Sequence, residues 1–236
     1  ASLVQAELDA LRQEMPAGPG QLYLIQTDLT TVEAIPALMA EIEQQGLDVE
    51  VLVNNAGTAL FGEQLALDPR RVRSMLTLNI LAMTELSTAV AAHMAIRNIR
   101  GRILNVASIG AFVPVPNLAA YAASKHYVLA FTQALAEELA PRGIHVGTLC
   151  PGITRTPIFE AMGLERHNAS AGSVSRISEK FSMDAGAVAQ CAVDAIERKA
   201  RVALPGLNRV IPVVGKLPGW MVAKVMAGLV KNRPAK

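Results

Sequence analysis

Residues 101–108 have the sequence GRILNVAS, a short apolar run that follows a glycine and ends in small and polar residues. A run of this length, bounded by turn-forming residues, is typical of a strand buried on both faces of a parallel sheet. The stretches HVGTLC at 145–150 and VEVLVNNAG at 49–57 repeat the pattern. These three stretches therefore predict buried, parallel strands of one sheet.

Helical patterns separate these strands. Helical spacing predicts helices over 2–15, over about 68–97, over 118–140 and over 184–199, and a further helix that follows an N-cap at Thr30 or Thr31 and stops at Gly46. Two more strands are predicted, QLYLIQ at 21–26 and RVALPG at 201–206. Such alternation predicts a single α/β domain over 1–236, a doubly wound parallel sheet between two helical layers, with ligands bound where the strands end.

Composition narrows the function classes. A hydrophobic content of 51% with only 4% aromatic residues suits aliphatic strands packed under helices. The net charge of +2 predicts no strongly basic face, which argues against nucleic acid as a partner. Cys150 and Cys191 lie far apart without neighbouring ligands, so neither a disulfide nor a metal site is expected and a cytoplasmic location fits. No uninterrupted apolar run is long enough to predict a transmembrane segment.

The C-terminal tail, residues 205–236, raises a separate possibility. An apolar helix face flanked by basic residues is predicted there, formed by Trp220, Val222, Val225, Met226 and Leu229. Peripheral contact with a membrane surface is one interpretation. Packing of that face on the domain or on a second subunit is the alternative, and the sequence alone favours it.

The stretch YAASK at 121–125 sets a tyrosine and a lysine four residues apart within a predicted helix. Residues spaced i, i+4 share one helix face, so Tyr121 and Lys125 can reach the same small volume. Taken alone, such a pair is more often an exposed amphipathic surface feature than a site.

Further motifs accompany this pair in a fixed order. They are Asp28-Leu29, NNAG at 54–57, Asn79, Ser108 thirteen residues before Tyr121, and Pro151-Gly152. Together they resemble the short-chain dehydrogenase/reductase family, in its small single-domain branch. The resemblance implies a Rossmann-like fold, an NAD(P)-dependent oxidoreductase that moves a hydride between a nicotinamide and a carbonyl or secondary alcohol, and a homodimer or homotetramer.

The resemblance also implies the catalytic residues Ser108, Tyr121, Lys125 and Asn79. Tyr121 would exchange the proton as general acid and base, and the Lys125 ammonium would lower the phenol pKa and bind the nicotinamide ribose. Ser108 would hold the substrate oxygen, although a strand-end serine can also satisfy local backbone groups. Asn79 would help to hold a water beside the lysine, unless it is an ordinary helix asparagine that faces solvent.

Cofactor contacts follow from the same resemblance. Asp28 would meet the adenine amino group, the small residues of NNAG would allow close approach, 151–153 would line the carboxamide, and Thr156 would bond the cofactor. The full set of expected cofactor-binding residues is Asp28, Leu29, Asn54, Asn55, Ala56, Gly57, Tyr121, Lys125, Pro151, Gly152, Ile153 and Thr156.

One departure from the family concerns the glycine-rich diphosphate turn, Thr-Gly-x-x-x-Gly-x-Gly, because no such motif occurs in these residues. We expect the natural polypeptide to extend upstream by the first strand, that turn and the second strand; an intact mass near 25.0 kDa would contradict this. NADP is preferred over NAD as the cofactor. The departure also leaves an alternative function, a catalytically silent protein that senses dinucleotides or acts as a scaffold.

The substrate is expected to be apolar. Ile109, Phe112, Val113, Phe159 and Phe181 should border the pocket, which favours a hydrophobic ketone or a lipid-like carbonyl. Residues 157–183 mix Gly, Ser and Asn with apolar anchors, a composition that predicts a lid over the substrate.

Overall fold

The computed structural model describes residues 5–14, 20–154, 182–206 and 210–230. The helices are α1 (Gln5–Glu14), α2 (Ala34–Gln44), α3 (Pro69–Leu76), α4 (Met83–Ile96), α5 (Ala119–Leu139), α6 (Ala185–Glu197), α7 (Ile211–Val214) and α8 (Gly219–Val230). The strands are β1 (Val51–Asn54), β2 (Arg102–Val106), β3 (His145–Leu149) and β4 (Val202–Ala203). A π-helical turn, Thr77–Ala82, joins α3 to α4, and single 3₁₀ turns lie at Gln64–Ala66, Ile109–Ala111 and Ala140–Arg142.

The four described strands form one parallel sheet in the order β1-β2-β3-β4. Asn54 lies opposite Asn105, and Val106 lies opposite Leu149, so the carboxyl ends of three neighbouring strands reach the same edge. The parallel sheet that the apolar strands predict is confirmed.

Helices cover both faces of the sheet. Ile103 and Val146 belong to a buried cluster with residues of α4 and α5, whereas Leu104 and Leu149 pack with α6. Alternate residues of one strand point to opposite faces, so this division shows that α4 and α5 form one layer and α6 the other. The expected three-layer, Rossmann-like architecture is thereby confirmed.

Two local predictions are wrong. Residues 21–26 form no ladder strand; within them only Gln26 makes an isolated bridge, and Leu22 and Tyr23 are exposed. An apolar run becomes a strand only where a neighbour accepts its backbone hydrogen bonds. The N-cap of α2 is Glu33 rather than Thr30 or Thr31, because the Asp28 carboxylate accepts bonds from the amide and hydroxyl of Thr30 and holds that segment in a turn.

The continuous helical run Pro69–Ile96 is long and apolar enough, by length and composition, to cross a membrane. The sequence alone predicts no transmembrane segment, because polar residues interrupt its apolar runs. Val90, Ala91 and Met94 of this run are buried in the cluster that covers the sheet, which is what a core helix does. The length and composition of this helical run are therefore not enough to assign it to a membrane.

Candidate active site

The polar segments that follow the strands lie side by side at one edge of the sheet. The amide of Ala107 donates to the Leu149 carbonyl at 2.8 Å, and the amide of Ile109 donates to the Pro151 carbonyl at 2.8 Å. Ser108 lies between these two bonds, so it is held beside the segment that follows β3. This is the edge at which parallel α/β sheets bind ligands.

A buried chain of hydrogen bonds fixes the strand ends. The Asn54 amide group donates to the Asn105 side-chain oxygen at 2.8 Å and to the Ser87 hydroxyl at 2.9 Å. The Asn105 amide group in turn donates to the Thr132 hydroxyl at 3.0 Å. The bonds therefore tie β1 and β2 to α4 and α5 and fasten the ends of the two neighbouring strands.

Tyr121 and Ser108 meet where α5 approaches the end of β2. The Ser108 hydroxyl forms a side-chain hydrogen bond with Tyr121 and accepts a bond from the Gly110 amide at 3.1 Å. Both interpretations of Ser108, substrate-facing and satisfying local backbone, are thus compatible with its contacts. Burial raises the pKa of Tyr121 above its ordinary value, and the Ser108 bond opposes that rise.

Lys125 is buried one turn further along α5. Its Nζ lies 5.9 Å from the Tyr121 ring centroid and donates to the Val106 carbonyl at 3.0 Å. Burial lowers its pKa to about 8, which nearby Cys150 partly opposes. The interpretation of Tyr121 and Lys125 as an exposed surface pair is therefore wrong, because Lys125 is buried. The expected lowering of the phenol pKa is also not seen, because the ammonium faces the ring and burial dominates at the hydroxyl.

Asn79 lies in the π turn and is buried, so the solvent-facing alternative is wrong. Its side chain accepts from the Thr58 amide at 3.0 Å and donates to the Thr58 carbonyl at 2.9 Å and to the Ser124 hydroxyl at 3.1 Å. Ser124 donates to the Tyr121 carbonyl at 2.7 Å. Asn79 therefore joins the loop after β1 to the second turn of α5.

Gly57 shows how tightly this loop approaches the site. A Cβ atom placed on Gly57 would lie 3.1 Å from the Asn79 side-chain oxygen and 3.5 Å from Lys125 Nζ. The absence of a side chain lets the backbone lie against both residues. NNAG, Asn79 and Lys125 thus meet at one point.

The remaining expected cofactor residues are distributed unevenly. Asn55 and Ala56 are exposed in the loop after β1, and Pro151, Gly152 and Ile153 are partly buried beyond β3. The hydrogen bonds of the Asp28 side chain stay within its own turn, whereas Leu29 packs against the cluster under the sheet. Thr156 lies outside the described residues.

Part of the expected substrate wall can be placed. Ile109 and Phe112 are partly buried in the segment after Ser108, and Val113 is buried. Phe159 and Phe181, and residues 157–181 of the expected lid, lie outside the described residues.

The side chains present suit the nicotinamide half of a dinucleotide. An ammonium has three donors, and among the described residues only the Val106 carbonyl accepts from Lys125. Two donors of a buried ammonium at a strand-end edge match the vicinal hydroxyls of a ribose. Within the described part of the chain, no group of three His, Cys, Asp or Glu side chains could hold a metal ion.

Sequence reasoning missed three contributors to the site. Ser124 and Thr58 link Asn79 to α5 and to the NNAG loop, as described above. Cys150, at first set aside as an isolated cysteine, is fully buried beside Lys125; its thiol interacts with the Ser108 backbone, and burial raises its pKa to about 12. The position of Ser124 next to Lys125 was the one available signal.

Comparison with known proteins shows the family and the fold of this chain. The sequence profile described as short chain dehydrogenase matches residues 2–167. A 3-oxoacyl-(acyl-carrier-protein) reductase of Vibrio cholerae is 31% identical over 147 residues, which cover 62% of this chain and 60% of that protein. The chain spans 36% to 65% of the length of the first curated relatives that it matches.

Two solved structures share the fold. A short-chain dehydrogenase from Sphingobium yanoikuyae in complex with NADPH is 27% identical, with a TM-score of 0.73 over 92% of this chain and 80% of that one. A 4-hydroxyisoleucine dehydrogenase complexed with NADH is also 27% identical, with a TM-score of 0.71 over 85% of this chain and 82% of that one. Because the family profile covers most of its residues, the chain belongs to the short-chain dehydrogenase family.

Proposed function

We propose that the protein is an NAD(P)-dependent oxidoreductase that interconverts a carbonyl and a secondary alcohol. One observation carries the proposal: Ser108, Tyr121 and the buried Lys125 converge at the carboxyl edge of a parallel sheet. Burying an ammonium costs folding free energy, so its position needs a reason beyond stability.

Each residue has a role in the proposed reaction. The nicotinamide, when bound, supplies or accepts the hydride. Tyr121 gives its proton to the carbonyl oxygen in reduction, since a phenol with a raised pKa stays protonated at neutral pH. In oxidation the phenol must first lose its proton, and the phenolate then takes the proton of the alcohol. Ser108 bonds the same oxygen, and Lys125 holds the ribose with its two remaining donors.

Asn79 acts in this scheme by position. Its side chain is occupied by Thr58 and Ser124, so it orients the loop after β1 and the start of α5. A π turn also leaves a backbone carbonyl without its usual helical partner, and such turns are frequent at functional sites. In the proposed mechanism, this turn holds a water molecule that passes protons to Lys125.

The proposed cofactor is NADP in preference to NAD, although the two similar structures are complexes with NADPH and with NADH respectively. For the substrate, the partly buried Ile109 and Phe112 beside Ser108 support an apolar ketone or lipid-like carbonyl. The similarity to a 3-oxoacyl reductase supports the same class. A cytoplasmic location accords with these soluble cofactors.

A homodimer or homotetramer is part of the proposal. Leu81 and Tyr127 expose 53% and 39% of their surfaces on the helices that cover one face of the sheet. Tyr127 also stacks on Phe131, with ring centroids 5.8 Å apart. A second subunit would cover this apolar surface.

The test is a screen of carbonyl compounds with NADH and NADPH separately, followed by the absorbance of the reduced cofactor, on the full-length protein. We expect oxidation of one cofactor with apolar ketones. Cofactor binding by calorimetry without turnover on any carbonyl would instead support the catalytically silent dinucleotide sensor, and absence of both would contradict the proposal.

A further inference from the structure

The outward face of α8 is apolar although its inward face is already buried. Val222 is 5% exposed and marks the side that packs on the domain. Trp220, on the opposite side, is 72% exposed, and Val225, one turn beyond Val222, is still 65% exposed. A helix at the surface of a domain normally turns polar residues outward, so this face needs another explanation.

The preceding segment extends the same surface. Val213 and Leu217 expose 65% and 53% of their areas, and Lys216 and Lys224 are exposed among these residues. We call this surface the tail patch; it consists of Val210, Val213, Val214, Lys216, Leu217, Trp220, Met221, Lys224 and Val225. The sequence pattern predicts one face formed by Trp220, Val222, Val225, Met226 and Leu229. The structure instead buries Val222, partly buries Met226 and exposes Trp220 and Val225, and the Leu229 side chain lies outside the described part of the chain.

The tail patch is anchored rather than detached. Gly215 lies so close to the loop after Ser108 that an added Cβ atom would be 2.4 Å from the Phe112 carbonyl oxygen. Together with the burial of Val222, this contact fixes the orientation of the segment against the domain. The exposed apolar side chains are therefore presented by a packed element.

The charge of the chain is distributed very unevenly, in contrast to its small net value. Residues 198–236 contain nine of the 22 basic residues and none of the 20 acidic ones, so residues 1–197 carry 13 basic and 20 acidic residues. Arg198 and Arg201 form ion pairs with Asp194 and Glu137. Lys216 and Lys224 form no ion pair within the described residues, and they lie on the tail patch itself.

We propose that the tail patch binds the surface of a bilayer that contains anionic lipid. Exposed Trp, Val, Leu and Met side chains insert at the level of the headgroups, and lysines beside them meet lipid phosphates. A second protein subunit would explain the apolar residues but not the exclusion of acidic residues from this part of the chain. The proposal is independent of the proposed oxidoreductase activity, because binding needs neither cofactor nor substrate.

Trp220 is the only tryptophan of the chain, so its fluorescence reports directly on the tail patch. The experiment titrates the full-length protein with vesicles of phosphatidylcholine containing phosphatidylglycerol and with vesicles of phosphatidylcholine alone. We expect a blue shift of Trp220 emission and co-sedimentation with the anionic vesicles, both reduced by added salt.

Paired variants separate the charge and apolar contributions. Lys216→Gln with Lys224→Gln should weaken binding to anionic vesicles about 25-fold, since each lysine contributes about fivefold. The control Arg70→Gln with Arg73→Gln removes two exposed charges elsewhere and should change binding less than about twofold.

The apolar pair is Val213→Ser with Val225→Ser, which should abolish the fluorescence shift while leaving Trp220 in place. Its control, Val32→Ser with Ile96→Ser, alters two side chains that are each 81% exposed outside the tail patch and should bind like the wild type. Equal binding to both kinds of vesicle, or binding unaffected by either tail pair, would overturn the proposal. Self-association that depends on Val213 and Val225, without vesicle binding, would overturn it in favour of a second copy of the chain.

Discussion

Replacing Lys125 by Met should reveal a stability cost that the fold bears for its site. Burial lowers the pKa of this lysine from 10.5 to about 8. That difference corresponds to about 3 kcal/mol of unfolding free energy lost wherever the folded lysine is charged. The cost is complete below about pH 8 and shrinks as pH rises toward the unfolded value, because the folded protein then releases its proton first.

The variant removes this cost but also leaves the Val106 carbonyl without its donor, which costs about 1–2 kcal/mol at every pH. Near pH 7 we therefore expect Lys125→Met to be about as stable as the wild type, or more stable by about 1–2 kcal/mol. Between pH 7 and pH 10 the unfolding free energy of the variant should fall by about 2–3 kcal/mol relative to that of the wild type.

Urea unfolding at both pH values measures the difference directly. Lys224→Met, which replaces an exposed lysine, serves as the control and should show no comparable dependence on pH. If Lys125→Met were destabilised by the same amount at both pH values, the buried ammonium would not carry the cost described here.

Two further predictions concern packing. Asn105→Leu removes the centre of the buried hydrogen-bond chain and should lower the unfolding free energy by about 3 kcal/mol. Asn55→Leu, at an exposed position, is the control and should change the unfolding free energy little. Urea unfolding midpoints measure both, and equal effects would contradict the role of the hydrogen-bond chain. Gly215→Ala places a Cβ atom against the Phe112 carbonyl and should make the tail accessible to trypsin. Gly219→Ala, with open space around it, should leave trypsin cleavage unchanged. Unchanged cleavage of the Gly215→Ala variant would show that the tail is not anchored at Gly215.

The order of strands and helices could be predicted from the sequence because buried parallel strands give apolar runs that turn signals interrupt. The sequence wrongly predicts a strand at 21–26, since a strand depends on a pairing partner and hydrophobicity records burial rather than pairing. The N-cap of α2 was misplaced for a related reason. The Asp28 carboxylate binds the amide and the hydroxyl of Thr30, and only the local geometry decides that Thr30 is bound in this way and does not cap the helix.

The members of the site were predictable where they lie on one helix or at strand ends. Tyr121 and Lys125 are one turn apart, and Ser108 follows an apolar strand. The bonds that link Asn79 to Thr58 and to Ser124 join residues 21 and 45 positions apart in the chain, and no local pattern signals them. The direction of the Tyr121 pKa also needed the structure, because burial and charge act in opposite senses and only coordinates show which atom the ammonium faces.

The measurement that tests the account most directly is the turnover of Tyr121→Phe with the carbonyl and reduced cofactor that the wild type prefers. Phenylalanine keeps the ring over Lys125 and removes only the hydroxyl. We predict a fall in kcat of about 10²–10⁴-fold, with the dissociation constant of the reduced cofactor nearly unchanged. A kcat close to that of the wild type would contradict the assignment of Tyr121 as the proton donor.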